Sequence, residues 1–335
     1  MAKEKNRVTL HDIAAATGYT INTVSRALKN KEDISRETCA HIQQVAREMG
    51  YVRNYIASSL RSGRTKTLAM ISGSMTNPFY AILADLIQQE AVRLGYSLMI
   101  LCSRDDPEAE TKMVEMALSR QVDGVLITPC SFDSPALELL RSSGIPFVLL
   151  SRYLEGSTDD CVICDDAEGG YLAAKHLLDK GHTNLGMISY RHVVFSSRKR
   201  FDGFQQACLD AGIPARNIHY AELESPDDVL PLLQSWHKEG TTGLFSFCDV
   251  EAWSTITLLE NADSDLVNDF AFVGFDNILR YLNFPKPICT IDPHLQEEAC
   301  TAIDLLRKRI HDPSLPPQQV VLPVSLVCRE SCSGK

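Results

Sequence analysis

From Thr67 onward, short apolar runs alternate with amphipathic stretches of helix length. The runs Leu68–Ser72, Ser97–Leu101, Gly124–Thr128, Pro146–Leu150, Cys161–Cys164, Leu185–Ser189, Gly243–Phe247, Ala271–Phe275 and Ile288–Ile291 read as strands. Helices fit between most of them, among these Ala81–Leu94, Glu108–Arg120, Glu168–Lys180 and Arg200–Ala211. A repeating strand–helix order at this spacing predicts an α/β protein with parallel sheets covered by helices on both faces. There are more strands than one compact sheet needs, so two such units are expected. Ligands then bind beyond the carboxyl ends of the strands, at a switch point or between the units.

The first 66 residues follow a different pattern. Thr9 is placed to cap a helix, with Asp12 three residues on reaching back to it. Ile13, Ala14 and Ala16 form a small apolar face, and Gly18 ends the helix. Thr20 caps a second helix that turns Val24, Ala27 and Leu28 inward. Ser35 caps a third, running to about Met49 with Ile42, Val45, Ala46 and Met49 on one face, and Gly50 stops it. Two short helices joined by a turn and braced by a third make a helix-turn-helix.

Charge divides at the same place. The chain carries a net charge of -10, yet residues 1–66 hold 12 Lys and Arg against 6 Asp and Glu, and the remainder 21 against 37. A basic head on an acidic body is the footprint of a segment that meets a polyanion, although a solvated basic face without a partner has the same sign.

With 335 residues, 44% hydrophobic and 23% charged, the chain can bury a sizeable core. Its apolar runs, such as Phe147–Leu150, fall far short of the ~20 residues that span a bilayer. The charged N-terminus leads into no apolar segment of a secretory signal. Eleven cysteines, an odd number thinly spread, do not make a disulfide framework. A reduced, cytoplasmic protein without a membrane partner is expected.

Three segments, Val8–Leu28 (VTLHDIAAATGYTINTVSRAL), Asn54–Leu60 (NYIASSL) and Asn77–Tyr80 (NPFY), carry a joint resemblance. They are similar, in that order, to the opening, the hinge and the first binding-site loop of the lactose repressor (LacI/GalR) family of transcription factors. Gly124–Ile127 (GVLI), Gly169-Gly170 with His176 and Gly181-His182, Arg200–Phe204 (RFDGF) and Val273–Asn277 (VGFDN) then follow in family order. The resemblance covers essentially the whole chain. It implies a helix-turn-helix head over residues 1–52, a hinge over 53–66, and an effector-binding and dimerisation body over 67–335. That body would be periplasmic-binding-protein-like, with two doubly wound parallel-sheet subdomains, a boundary near 164 and the chain crossing back near 292 and 322.

The head reads consistently as a DNA-binding unit. Asn22 and Thr23 begin the second helix, where a recognition helix faces base edges, and Arg26 lies one turn further on. The resemblance places base reading at Ile21, Asn22 and Arg26, within an interface of Thr20, Ile21, Asn22, Thr23, Ser25 and Arg26. Arg26 can bond guanine O6 and N7 as a bidentate pair or merely touch phosphate, and Ile21 can meet a thymine methyl. The residue matching Leu60 wedges into the minor groove in the family, a known device for kinking DNA. Lys29 stands where an Asn is usual, and Glu32-Asp33 place two acids near a DNA contact of other members; these should face away from phosphates or weaken binding.

By the same resemblance, Tyr80, Ser196, Arg200, Asp249, Trp253 and Asp276 are the effector-binding residues. Aromatic stacking with an Arg–carboxylate frame suits a polyhydroxylated ligand. A carbohydrate is the first expectation and a nucleoside or purine the second; Arg200 and Asp276 pairing with each other is the bland alternative. The spacing Cys161-x2-Cys164 with His176 and His182 imitates a zinc finger, but the cysteines fall in a strand, so buried thiols and no metal site are expected. No phosphate-binding loop, nucleophile elbow or metalloprotease motif occurs, and neither enzymatic activity nor a cofactor is expected.

The expectation is a sequence-specific regulator, most simply a repressor, that binds a pseudo-palindromic double-stranded operator as a homodimer. Only Glu330–Lys335 follow the last strand, leaving no leucine-heptad tail for a tetramer. The rival reading is a cytosolic sugar-binding or sugar-processing protein with an incidental basic arm, against which the helix-turn-helix argues.

Overall fold

The computed structural model describes residues 8–52, 63–131, 134–152, 156–190, 195–262, 265–283 and 286–329. The hinge residue Leu60 therefore lies outside the described residues. Two compact units divide at Thr65 and Lys66.

In the first unit, helices α1 (Leu10–Thr17), α2 (Ile21–Ala27) and α3 (Arg36–Glu48) close on a small core of Ile13, Val24, Ala27, Ile42 and Ala46. Their ends are set by the residues the sequence marks. Thr9 and Asp12 form a reciprocal capping box, with the Thr9 amide donating to Asp12 Oδ2 at 2.8 Å. Gly18 ends α1 in the left-handed region at φ 74°. The hydroxyls of Thr20 and Ser35 accept from the amides of Thr23 and Thr38. Gln43 of α3 donates to the Ala27 carbonyl at 3.1 Å, tying α3 to the end of α2.

The second unit contains two six-stranded sheets. The first holds β1 (Thr67–Ser72), β2 (Ser97–Cys102), β3 (Gly124–Ile127), β4 (Phe147–Leu150), β5 (Cys161–Cys164) and β11 (Gln319–Leu322), in the spatial order β11-β5-β4-β3-β1-β2. The second holds β6 (Leu185–Tyr190), β7 (Ile218–Leu223), β8 (Gly243–Ser246), β9 (Ala271–Phe275), β10 (Cys289–Asp292) and β12 (Ser325–Val327), in the order β12-β10-β9-β8-β6-β7. All pairings are parallel except β10 with β12. The chain leaves the first sheet after β5, returns to it for β11 after β10, and leaves again for β12. The apolar pattern predicts the central strands within a residue or two. It does not predict β7, β11 and β12, which are edge strands with mostly half-buried or exposed residues and so carry no continuous apolar run.

One contact brings the functional region into place. Helices Asp166–Asp179 and Phe195–Asp210 cross so closely that a Cβ on Gly170 would lie 1.8 Å from the Arg200 carbonyl oxygen. A Cβ on Gly203 would lie 1.8 Å from the Ala167 carbonyl oxygen. Backbone meets backbone there, and no side-chain adjustment can relieve the clash. Gly169 meanwhile leaves room for the Phe275 ring. The glycine pair thus serves close packing and not a phosphate. Gly170→Ala should lower unfolding free energy by at least ~2 kcal/mol, measured by urea denaturation, whereas Gly212→Ala, where nothing lies within 4 Å but φ is 75°, should cost only about 1 kcal/mol.

Candidate functional site

In the head, α2 turns Val24 and Ala27 into the core and leaves Thr20, Ile21, Asn22 and Arg26 exposed, with Thr23 and Ser25 half-buried between them. Ile21 is 44% exposed despite its apolar side chain, which makes it a surface residue and not a core member. The two acids after the helix do not both point away. Asp33 forms an ion pair with Arg26, and this pairing holds the Asp33 carboxyl below the usual carboxylate range. The pair is solvent-exposed on the same face of the head as Ile21 and Asn22.

In the second unit, a cleft of about 200 Å³ lies between the two sheets. The first-sheet side contributes Asn77, Phe79, Tyr80, Asp105 and Arg152; the second contributes Ser196, Arg200, Phe247, Glu251 and Asp276. Asp105, Arg152, Phe247 and Asp276 follow β2, β4, β8 and β9, so the cleft is built at the carboxyl ends of parallel strands, as the doubly wound topology requires.

Both arginines in the cleft are already committed to acids. Arg152 donates to Asp105 Oδ1 at 2.8 Å, to the Pro129 carbonyl at 3.2 Å and to the Tyr80 hydroxyl at 2.9 Å. Arg200 donates through Nε to Asp166 Oδ1 at 2.7 Å and through Nη1 to the Phe247 carbonyl at 2.5 Å. Its guanidinium also lies 3.4 Å from the Phe275 ring centroid. Arg200 therefore pairs with Asp166, and the expected alternative partner Asp276 is left facing the cleft. Burial pushes the Asp276 carboxyl well above its usual value, with Arg200 opposing the shift. Asp276 and Asn277 both occupy positive φ, at 104° and 47°, which is strained backbone for residues with side chains.

The strained turn is held from behind. Asp249 accepts from the Thr290 hydroxyl at 2.6 Å and from the Ile278 amide at 2.9 Å. Gly274 leaves the space its carboxylate fills, since a Cβ there would meet Asp249 Oδ1 at 2.2 Å. Asn277 donates to Asp292 Oδ2 at 2.9 Å and accepts from Arg329 at 2.6 Å. Of the six effector residues expected from sequence, Tyr80, Ser196, Arg200 and Asp276 are brought together in the cleft. Asp249 and Trp253 are not among its lining. Asp249 is buried beneath the turn, and Trp253 packs in the core with its indole N–H donating to the Lys286 carbonyl at 3.0 Å.

Sequence reasoning placed Phe79 in the first binding-site loop without giving it a role, and missed Asp105, Arg152, Phe247 and Glu251. The strand–loop rule was the available signal for Asp105 and Arg152, which follow expected strands; Phe247 was counted inside one and lies just past its end at Ser246. Glu251 carries no such signal. It is buried, with Oε1 accepting a 3.4 Å bond from the Tyr190 amide and Oε2 without a partner among the described residues. Burial pushes its carboxyl up to about 8.

A head with an exposed recognition helix and a two-lobed body with a polar cleft define a DNA-binding protein that also binds a small ligand. Residues 9–54 match the model of bacterial regulatory proteins of the lacI family. Residues 65–229 match that of periplasmic binding proteins and the sugar binding domain of the LacI family, and residues 174–332 a periplasmic binding protein-like domain. The chain is 33% identical to the HTH-type transcriptional regulator DegA of Bacillus subtilis, over 98% of each chain. It is 28% identical to the HTH-type transcriptional repressor PurR of Photobacterium profundum, over 96% of this chain and 98% of that one. The fold is similar to that of the Lac repressor dimer bound to operator and the anti-inducer ONPF, with a TM-score of 0.82 at 22% identity, over 98% of this chain and 99% of that one. The chain belongs to the LacI family of transcriptional regulators, and no described helix is long and apolar enough to cross a membrane.

Two measurements test the site geometry. Asp33→Asn should tighten DNA binding in a gel-shift titration, by removing a negative charge and releasing Arg26, and the gain should be smaller in an Arg26→Ala background, where only the charge effect remains. The second concerns pH. Between the ordinary carboxylate range and about 8 the folded protein keeps the Glu251 proton and the unfolded chain loses it, so this group's contribution makes stability fall as pH rises. Glu251→Gln should flatten that part of the stability profile across this range, read by urea midpoints.

Proposed function

We propose that this regulator is a repressor whose operator affinity is set by a neutral, polyhydroxylated effector, a carbohydrate, held in the cleft. The observation that carries the reading is the charge balance of the cleft. Each arginine is neutralised by a carboxylate, Arg152 by Asp105 and Arg200 by Asp166, while Asp276 and Glu251 add further carboxyls. A phosphate or carboxylate ligand would find no uncommitted cation among the described lining residues. A sugar finds carboxyls at Asp276 and Glu251 that can exchange hydrogen bonds with its hydroxyls, and apolar edges at Phe79 and Phe247 for the ring. The sugar-binding description of the matching family model supports the same class. The name of PurR supports repression, and the operator-bound Lac repressor dimer supports a homodimer on two half-sites.

On this reading Thr20, Ile21, Asn22, Thr23, Ser25 and Arg26 meet the operator, Leu60 wedges its centre, and Tyr80, Ser196, Arg200 and Asp276 face the effector. Asp249 acts as a positioning residue for Asp276, and Trp253 as a core residue near enough to the turn to report on it.

Ligand and operator must each change the other's affinity by the same factor, because both act on one conformational equilibrium. A thermal-shift screen of neutral sugars, sugar phosphates and nucleosides identifies the effector, and operator titrations follow. A neutral sugar should raise the melting temperature, and Asp276→Ala should weaken it at least about tenfold while leaving unliganded operator affinity within about twofold. A response confined to phosphorylated ligands would overturn the carbohydrate reading. Equal ligand affinity with and without operator would remove the switch.

A further inference from the structure

The tertiary structure collects a set of ligating atoms that no segment of sequence brings together. Cys289 begins β10, Cys328 immediately follows β12, and these strands pair antiparallel with Thr290 opposite Val327, which sets Cys289 against Cys328. The two Sγ atoms lie 4.0 Å apart. His176, on the helix Asp166–Asp179 that packs against this sheet, brings its Nε2 to 3.9 Å from Cys328 Sγ. All three ligand atoms fall within 4.8 Å of one another, with Cys289 and His176 buried and Cys328 exposed.

The Cys289–Cys328 and Cys328–His176 separations lie close to those of a particular chemistry. A tetrahedral zinc ion, with bonds of about 2.3 Å to sulfur and about 2.0 Å to nitrogen, spaces its ligands ~3.8 Å apart for two sulfurs and ~3.6 Å for sulfur and nitrogen. A disulfide needs sulfurs about 2.05 Å apart and has no use for an imidazole. Thiolate with imidazole is also the ligand softness that favours zinc over magnesium or calcium. The Arg329 amide donates to Cys289 Sγ at 3.0 Å, and the Cys289 thiol donates to the Arg329 carbonyl at 3.0 Å, the bond that a metal would replace.

We infer that His176, Cys289 and Cys328 form a zinc-binding site, with three protein ligands and the fourth position open to water on the exposed Cys328 side. Binding releases the two thiol protons and involves no change of oxidation state. The site differs from the zinc-finger spacing in the sequence: it takes only His176 from that set, while Cys161 and Cys164 are buried in β5 and His182 bonds Thr242 at 2.8 Å. Its place in the fold gives it consequence. Arg329, next to Cys328, donates to the Ile288 carbonyl at 2.9 Å and to Asn277, the neighbour of the cleft residue Asp276. Zinc would clip the last strand to the helix behind the effector turn.

The test uses the full-length reduced protein, stripped of metal and titrated with zinc, then with cobalt as a spectroscopic substitute. One equivalent of zinc should bind, raise the melting temperature, and resist a chromophoric chelator. Cobalt should show a thiolate charge-transfer band with tetrahedral d–d absorption. Cys328→Ser, at an exposed position that leaves the metal-free fold intact, should weaken zinc at least about a hundredfold and reduce the charge-transfer intensity. His176→Gln should weaken zinc while keeping two-thiolate intensity, a separation that a general loss of folding would not produce. Cobalt spectra and zinc affinity unchanged in Cys328→Ser would overturn the site by assigning the metal to other cysteines. A Cys289–Cys328 disulfide in protein purified without reductant, together with no zinc response after reduction, would overturn it in favour of a redox pair.

Discussion

The body of this protein depends on a backbone-to-backbone contact between the helices Asp166–Asp179 and Phe195–Asp210. Gly170 and Gly203 each occupy a place where one added carbon would collide with a main-chain oxygen at 1.8 Å. Because the helices approach this closely, Arg200 of one can reach Asp166 at the first turn of the other. Charged partners this buried repay their desolvation only when geometry is tight and their remaining hydrogen bonds are satisfied. The Phe247 carbonyl and the Phe275 ring face complete that environment. Absence of side chains at the crossing therefore makes possible the buried ion pair in the cleft wall.

With Arg200 and Arg152 each tied to an acid, the cleft offers orientation and hydrogen bonding more than net positive charge. Asp276 presents its carboxyl from a turn that would be costly in isolation, because two consecutive residues hold positive φ. Asp249, Thr290, Asp292 and Arg329 over-determine that turn from behind. Asp292 ends β10, where the chain crosses back toward the first sheet. The cleft residue Asp276 is thus tied, through its neighbour Asn277, to a segment that joins the two lobes. A change in lobe closure and a change at the cleft share these hydrogen bonds, which is the physical connection an effector-controlled regulator needs.

The head solves a smaller problem by economical means. Five buried residues make its core, so capping by Thr9, Thr20 and Ser35 carries much of the specification of where each helix begins. The exposed face of its second helix carries an internal ion pair, Arg26 with Asp33.

Local signals in the chain were enough to place the head helices and the central strands. Caps, glycine stops and helical apolar spacing located the three head helices, and continuous apolar runs located the central strands, because these signals act over a few neighbouring residues. Motif identity likewise drew Tyr80, Ser196, Arg200 and Asp276 into one site. Which charges pair is settled in three dimensions alone. Arg200 chose Asp166 over Asp276, Arg26 chose Asp33, and Asp249 turned inward beneath Gly274, because each outcome depends on angstrom-scale distances between segments far apart in the chain or on which face of a turn a side chain leaves. Strands β7, β11 and β12 were illegible for a related reason: an edge strand is buried on too little of its surface to impose an apolar pattern. The juxtaposition of His176, Cys289 and Cys328 lies wholly on the tertiary side, since it exists only where a helix and two antiparallel strands, distant from one another in the chain, meet.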